Sequence, residues 1–124
     1  MVKIARIIIV DDDKDIVTLF EEVLRWEGHE IIAKAFNGQQ AIEFFKSAEN
    51  PPDIILMDHR MPIKDGLSAT EEILIENSNV KVVFVSADFA VKETALKIGA
   101  TYFLEKPIDF SKLLIAIKKC ASSN

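Results

Sequence analysis

The stretch ARIIIVDDD, residues 5–13, joins a continuous apolar run to three adjacent aspartates. A run of Ile and Val without polar alternation is typical of a strand buried on both faces, as in a parallel sheet covered by helices. The runs DIILM at 53–57 and KVVFVS at 81–86 have the same character. Two further apolar runs, EIIAKA at 30–35 and TYFLE at 101–105, complete a set of five predicted strands.

The segments between the predicted strands carry apolar residues at intervals of three and four, the pattern of amphipathic helices. These residues are Ile16, Leu19, Phe20, Val23 and Leu24, then Ala41, Ile42, Phe44 and Phe45, then Ile73 and Leu74, then Ala95, Leu96 and Ile98, and finally Leu113, Leu114 and Ile117. Asp109 is the predicted N-cap of the last helix. Five alternations of strand and helix predict an α/β fold with right-handed crossovers and an open parallel sheet covered on both faces.

The totals of the sequence fit one small domain. The 124 residues predict a single domain over 1–124, with no attached output domain. The net charge of -5 argues against nucleic acid as a partner. The single cysteine, Cys120, excludes an intramolecular disulfide, favours a cytoplasmic location and fits a packing role. No apolar run approaches the ~18 residues that a membrane span needs, so we expect no membrane insertion.

Polar residues follow four of the five predicted strands. They are Asp11, Asp12 and Asp13 after the first, Asp58 after the third, Ser86 at the end of the fourth and Lys106 after the fifth. In doubly wound folds, ligands bind outside the carboxyl ends of the strands. Each residue alone has a simpler interpretation: the aspartates as a solvated turn or helix cap, the serine as a turn residue and the lysine as a surface charge. Their coincidence at one edge favours a site.

The residue types at this edge indicate the chemistry. Adjacent carboxylates repel one another unless a cation lies among them, and such clusters suit Mg²⁺. A serine hydroxyl and a lysine ammonium add donors for phosphate oxygens. An acidic metal site with these donors matches the needs of phosphoryl transfer. Because no histidine or cysteine falls at a strand end, the nucleophile is predicted to be a carboxylate.

Four motifs together identify a family resemblance. They are IIIVDDD at 7–13, DIILMDHRMP at 53–62 with Gly66 following, VVFVSA at 82–87 and FLEKP at 103–107. With them the chain resembles, over essentially its whole length, the receiver domain of two-component response regulators, of the single-domain chemotaxis-regulator type. The resemblance implies a doubly wound (βα)5, flavodoxin-like sandwich with a five-stranded parallel sheet in the order 2-1-3-4-5. It also implies a signalling switch that takes part in its own phosphorylation and dephosphorylation, and not an enzyme.

The resemblance assigns a role to each matching position. It implies Asp58 as the phosphoacceptor, and Asp11, Asp12, Asp58 and the backbone carbonyl of Arg60 as ligands of Mg²⁺, with Mn²⁺ as a second possible ion. It implies that the Ser86 hydroxyl and the Lys106 ammonium bond phosphoryl oxygens, and that the Lys106–Pro107 peptide is cis. Phe103 matches the switch aromatic, although a core aromatic is the alternative from the residues alone. Asp13 is taken as a bystander.

The same resemblance implies the partners. The phosphoryl donor is expected to be a phosphohistidine on a sensor histidine kinase or a histidine phosphotransfer protein, and an unknown downstream protein is expected to bind the face formed by helix 4, strand 5 and helix 5. The domain is expected to be a monomer or a phosphorylation-dependent dimer. The apolar face of helix 1 and the lysines of helices 4 and 5 are candidate docking surfaces: Lys92, Lys97, Lys112, Lys118 and Lys119.

Some residues carry their own predictions. We hypothesise that Arg60 and Asp88 face each other across the pocket mouth and limit access of water to the phosphoaspartate; the alternative is two independent surface charges. Trp26 is predicted to pack at the end of helix 1, and His29 is not predicted to be a ligand.

Three rival functions share part of this pattern. A phosphoaspartate hydrolase of the haloacid-dehalogenase type would use Asp11 as its nucleophile, but position 15 is an aspartate and no acidic pair follows Lys106. A receiver used only for docking would not need the complete set of acid, hydroxyl and lysine. A flavodoxin would need a Ser-, Thr- and Gly-rich phosphate loop where this chain has three aspartates.

Overall fold

The structure is a computed structural model that describes residues 3–122, in which five strands alternate with five helices. The strands are β1 (Arg6–Val10), β2 (Glu30–Ala35), β3 (Ile54–Met57), β4 (Lys81–Ser86) and β5 (Tyr102–Glu105). The helices are α1 (Lys14–Trp26), α2 (Gly38–Ser47), α3 (Gly66–Glu76), α4 (Lys92–Lys97) and α5 (Phe110–Ser122), and a short 3₁₀ helix (Phe89–Val91) precedes α4. All five predicted strands are present, with ends that differ by at most one residue.

The strands form one parallel sheet in the order β2-β1-β3-β4-β5, which confirms the predicted fold. The register brings the carboxyl ends of the strands together. Val10 pairs with Met57, so the residues that follow, Asp11 and Asp58, leave the sheet side by side. Two backbone hydrogen bonds continue the pairing beyond the strands: Asp58 N–H donates to the Val10 carbonyl at 2.9 Å, and Lys106 N–H donates to the Ser86 carbonyl at 3.1 Å.

The sheet divides the apolar residues into two cores, one on each face. Successive residues of a strand point to opposite faces, so Ile7 and Ile9 of β1 pack with α1 and α5, whereas Ile8 and Val10 pack with α2, α3 and α4. Every residue of β3 is buried. This two-sided burial accounts for the unbroken apolar runs of β1, β3 and β4.

Short polar side chains begin four of the helices. Asp13 accepts hydrogen bonds from two backbone N–H groups of α1, and Asn37 and Asp65 cap α2 and α3 in the same way. Asp109 Oδ1 accepts from the Ser111 N–H at 2.9 Å, which confirms its predicted role as an N-cap. Such caps satisfy backbone donors that have no partner within the helix, and each contributes about 1 kcal/mol.

The prediction that Trp26 packs is wrong, because 89% of this residue is exposed. The buried residues of α1 are Val17, Phe20 and Leu24. At ~100° per residue, position 26 lies on the opposite side of the helix from these three. No helix within residues 3–122 is long and apolar enough to cross a bilayer.

Candidate phosphoacceptor site

Three carboxylates meet at the carboxyl edge of the sheet. Asp11 and Asp58 follow the central strands β1 and β3 and are only 1% and 6% exposed, while Asp12 is exposed beside them. One carboxylate oxygen from each of the three lies within 4.8 Å of the others. The donor set is all oxygen, is strongly anionic and opens to solvent on the side of Asp12. It therefore fits a hard divalent ion that keeps part of its hydration shell.

Lys106 reaches this cluster from the end of β5. Its ammonium donates to Asp11 Oδ2 at 2.7 Å and lies 3.3 Å from Asp58 Oδ1. The Lys106–Pro107 peptide is cis, as the resemblance implied. Burial alone would lower the pKa of Lys106, but the hydrogen bond to Asp11 and the charges of Asp58 and Asp11 outweigh it and raise that pKa. The ammonium is therefore held in its charged form between two buried carboxylates.

The environment of Asp58 disfavours its ionised form. Burial raises the pKa of the Asp58 carboxyl, the negative charge of Asp11 raises it further, and Lys106 offsets only part of the increase. Carboxylates with such raised pKa values cluster at functional sites, because the charge is costly there until a ligand compensates it. The side chain of Asp11 is fixed in position by the protein backbone, because its Oδ1 accepts a hydrogen bond from the Asp13 N–H at 2.9 Å.

Ser86 is the last residue of β4 and is 1% exposed. Its hydroxyl oxygen accepts the backbone N–H of Asp88 at 3.0 Å. Since β4 lies beside β3, the serine ends its strand at the same edge as Asp58. The following residue, Ala87, is small and exposed.

Arg60 and Asp88 face each other across the mouth of the site, as hypothesised. The guanidinium Nη2 lies 2.9 Å from Asp88 Oδ2, while the Arg60 side chain remains 80% exposed. Asp88 has a second function that the sequence pattern did not predict: its Oδ1 accepts the Ala90 N–H at 3.1 Å and so caps the 3₁₀ helix. One side chain thus links the loop after β3 to the segment after β4.

The loop after β3 is folded tightly against the backbone of Asp58. Gly66 N–H donates to the His59 carbonyl at 2.9 Å. A Cβ atom at Gly66 would lie 1.9 Å from the carbonyl oxygen of Asp58, so any larger residue would force this loop to move. The glycine therefore sets the position of the acceptor by close approach.

Phe103 is half-buried and belongs to an aromatic cluster. Its ring stacks on Phe84 with centroids 5.9 Å apart, and the exposed Phe89 packs edge-on against it at 6.4 Å. The imidazole ring of His59 also approaches this cluster, with its centroid 6.1 Å from the centroid of the Phe84 ring. The sequence indicates a role for Phe103 only through the resemblance. The contacts of Phe84 and Phe89 with Phe103 were not predicted, because they depend on the pairing of β4 with β5 and on the conformation of the segment after β4.

Comparison with known proteins now identifies the family. The sequence model of the response regulator receiver domain matches residues 7–118. The chain belongs to the response regulator receiver family. This membership confirms the resemblance and excludes the haloacid-dehalogenase and flavodoxin alternatives.

Relatives and solved structures agree with this assignment. The chemotaxis protein CheY of Bacillus subtilis is 35% identical over 92% of this chain and 95% of its own length. The response regulator TrrA of Thermotoga maritima, solved in complex with Mg²⁺ and a beryllium fluoride, is 31% identical, with a TM-score of 0.85 over 94% of this chain and 99% of that one. The CheX–CheY–BeF₃–Mg²⁺ complex of Borrelia burgdorferi contains a chain that is 29% identical, with a TM-score of 0.87 over 93% of this chain and 87% of that one.

The receiver family fixes the general function of the chain. It is a signalling protein with a phosphoacceptor role in two-component systems. Receiver domains bind Mg²⁺, and the aspartate cluster has the donors for it. Receiver domains also imply an interaction with a histidine kinase or a phosphotransfer protein.

Proposed function

We propose that Asp58 accepts the phosphoryl group from a phosphohistidine on a sensor histidine kinase or a histidine phosphotransfer protein. The observation that carries this proposal is the position of Lys106, whose ammonium lies between the carboxylates of Asp11 and Asp58. A buried carboxylate beside a fixed cation, at an edge open to a bulky donor, has the arrangement that in-line phosphoryl transfer needs.

In this proposal, Mg²⁺ is held by the carboxylates of Asp11, Asp12 and Asp58 and by the backbone carbonyl of Arg60. The ion supplies positive charge that compensates the oxygens of the phosphoryl group. Mn²⁺ takes the same class of ligand, and its binding stays a prediction. Asp13 takes no part in the site, because its carboxylate is committed to capping α1.

The transfer needs the phosphohistidine donor and, for the return to the free carboxylate, one water molecule. A carboxylate oxygen of Asp58 forms a bond to phosphorus as the bond from phosphorus to the donor imidazole breaks, and the imidazole leaves with its electron pair. The Lys106 ammonium and the Ser86 hydroxyl stabilise the charge that spreads over the phosphoryl oxygens. Later, water attacks the phosphorus, inorganic phosphate leaves, and the carboxylate of Asp58 is restored.

Phosphorylation is proposed to switch the α4–β5–α5 face. The Ser86 side chain would turn toward the phosphoryl group to donate its O–H, and this movement would take its oxygen away from the Asp88 N–H from which it now accepts. Movement of Ser86 would open space for Phe103, whose ring contacts Phe84 and Phe89. The new dianion would bias a two-state equilibrium of this face, to which the downstream protein binds.

The remaining features of the proposal rest on the sequence. We expect residues 1–124 to act as one receiver domain, as a monomer or as a phosphorylation-dependent dimer, without binding nucleic acid. A cytoplasmic location is proposed from the single, buried Cys120.

Intact-mass measurement after incubation with acetyl phosphate tests the proposal. We expect one phosphoryl adduct that requires Mg²⁺ and disappears in Asp58→Asn. The matched control is Asp13→Asn, which changes the aspartate next to Asp12 but keeps a side chain that can cap α1, and it should retain the adduct. An adduct that survives Asp58→Asn would refute Asp58 as the acceptor, and a parent chain without an adduct would favour a docking module.

A further inference from the structure

A second cavity lies at the opposite edge of the sheet from Asp58, between the α1–β2 turn and α5. Its volume is about 420 Å³, within the range of pockets that hold small molecules. Glu27 and His29 line it from the turn, Leu114, Ile115 and Lys118 line it from α5, and Lys3 lies before β1. We refer to it as the His29 cavity.

His29 is the buried polar group of this cavity, with only 9% of its surface exposed. The backbone N–H of Ala5 donates to its Nδ1 at 3.0 Å. Because Nδ1 accepts this bond, the proton of the neutral ring is on Nε2. Burial lowers the pKa of His29, although the charge of Glu27 acts in the opposite direction, so the ring stays neutral at pH 7.

The position of the ring is fixed by the backbone around it. His29 N–H donates to the Leu24 carbonyl at 3.0 Å, and the next residue, Glu30, donates to the Ala5 carbonyl at 3.0 Å. With Nδ1 turned toward Ala5, the other edge of the imidazole faces the cavity. Nε2–H on that edge has no hydrogen-bond acceptor among residues 3–122. Because Nε2–H faces the cavity without an acceptor among these residues, it is available to a ligand that enters the cavity in place of water.

The other groups of the cavity indicate the class of ligand. Lys118 makes no ion pair within the described part of the chain and adds a positive charge. Leu114 and Ile115 add an apolar wall on the same helix. Glu27 adds one negative charge, which disfavours a dianion such as phosphate more than a monoanion.

We propose that the His29 cavity binds a small monocarboxylate with a short apolar body. The carboxylate accepts from His29 Nε2–H and pairs with the Lys118 ammonium, and the body packs on Leu114 and Ile115. The proposal does not depend on the phosphoacceptor role of Asp58, so Asp58→Asn should bind the ligand as well as the parent chain does.

Titration of the ¹⁵N-labelled chain with hexanoate, followed by NMR, tests the proposal. We expect saturable shifts of the amide signals of Leu114, Ile115 and Lys118, with a dissociation constant on the order of 1 mM. Hexanol, which lacks the charge, and phosphate, which lacks the apolar body, should bind at least about fivefold more weakly. N-acetyl-leucine is a parallel probe: tighter binding than hexanoate would assign the carboxylate to a peptide C-terminus, and weaker binding would assign it to a free acid.

Two variants and one control test whether His29 and Lys118 contact the carboxylate of the ligand. Asn at position 29 can still accept the Ala5 N–H but cannot place a donor where Nε2 is, so His29→Asn should abolish the saturable shifts. Lys118→Gln should weaken binding about fivefold, whereas Lys119→Gln, at a neighbouring exposed position outside the cavity, should leave it within about twofold. Lys118→Gln keeps the test valid if His29→Asn does not fold. Non-saturable shifts, equal binding of phosphate, or equal losses in the two lysine variants would overturn the proposal.

Discussion

The carboxylate of Asp58 carries a conflict between folding and function. It is buried next to the negative charge of Asp11, and Lys106 compensates that charge only in part. A nucleophile has to remain ionised to attack phosphorus, so the fold retains a charge that its surroundings disfavour. Stability lost at such a position is a common consequence of a functional site.

This conflict predicts that Asp58→Asn is more stable than the parent chain at pH 7 without divalent ions. The folded-state pKa of Asp58 is raised, so its favourable contribution to folding is fully present below the unfolded pKa of about 3.9 and is lost as the pH rises through the folded pKa. Thermal unfolding in EDTA should therefore give a higher midpoint for Asp58→Asn at pH 7, and the gain should shrink toward pH 4.

The matched control for this measurement is Glu22→Gln, which neutralises an exposed carboxylate on α1. It should move the midpoint little at either pH, since surface substitutions usually change stability by less than about 0.5 kcal/mol. A lower midpoint for Asp58→Asn at pH 7 would show that its pairing with Lys106 outweighs the cost of burial.

A second prediction at the scale of single residues concerns Arg60, which forms an ion pair with Asp88. If Arg60 and Asp88 restrict water at the mouth of the site, Arg60→Ala should speed the loss of the phosphoryl group from Asp58. The pair is largely exposed on the arginine side, so an increase of no more than about fivefold is expected. The decay of the phosphoryl adduct, followed by intact mass after removal of acetyl phosphate, measures the rate.

Arg25→Ala is the control for this prediction, because Arg25 also forms an exposed ion pair, with Glu21, but on α1. Its decay rate should equal that of the parent chain. If Arg60→Ala also decays at the parent rate, Arg60 and Asp88 act as independent surface charges despite their contact.

At the scale of single elements, α3 contains a polar atom without a partner. Thr70 is fully buried, and its hydroxyl has no hydrogen-bond partner among residues 3–122. Valine has nearly the same shape and the same branching at Cβ, so Thr70→Val removes the unsatisfied hydroxyl with little change in helix propensity. We expect a gain of about 1 kcal/mol, measured as a rise of roughly 4 °C in the unfolding midpoint.

Thr18→Val is the control for α3, because the exposed Thr18 hydroxyl on α1 already donates to the Lys14 carbonyl at 3.0 Å. No gain is expected there. A fall in the midpoint of Thr70→Val would mean that the hydroxyl is satisfied in solution, for example by a bound water.

The sequence predicted the strands better than the burial of the helices. Continuous runs of Ile and Val are explained by burial of the strand on both faces, and in the structure every residue of β3 is buried. In α1, however, apolar residues lie on two sides of the helix: Val17, Phe20 and Leu24 face the core, while Leu19 and Trp26 are exposed. Periodicity alone does not tell which apolar residues are buried, since that depends on which neighbouring element covers the helix.

The residues of the candidate site were predictable for a related reason. Parallel strands place their carboxyl ends at one edge, so the position of Asp11, Asp58, Ser86 and Lys106 follows from where each strand ends. The contacts within the loops could not be derived from the ends of the strands, and only the pair of Arg60 and Asp88 was hypothesised from the sequence. The capping bond of Asp88 and the packing of Phe89 on Phe103 depend on loop conformations that no periodic pattern encodes.

At the scale of the whole molecule, the sheet separates two edges with different chemistry. The carboxyl edge carries the aspartate cluster, and the amino edge carries the His29 cavity. Helix α5 spans both, since it begins after Lys106 and residues from its middle to its end line the cavity. A ligand at either edge that binds only the folded chain would stabilise the same cooperative unit.

The reactivity of Cys120 measures whether α5 and the sheet unfold together as one cooperative unit. The thiol is 1% exposed in the core between α5 and the sheet, and burial raises its pKa to about 11. At pH 8, only about one thiol in a thousand would be ionised in the folded chain, whereas an unfolded cysteine with a pKa of about 8.5 is ionised to roughly a quarter. Labelling with Ellman's reagent should therefore be at least about 100-fold slower in buffer than in urea.

The control for Cys120 lies on the same helix. Ile115 is exposed, so an Ile115→Cys variant should show one fast labelling phase from the new thiol and the slow phase of the parent chain. If Cys120 in the parent chain reacts as fast as in urea, the second half of α5 detaches from the sheet without global unfolding. In that case α5 is an independently opening element, and a ligand in the His29 cavity would act by holding it in place.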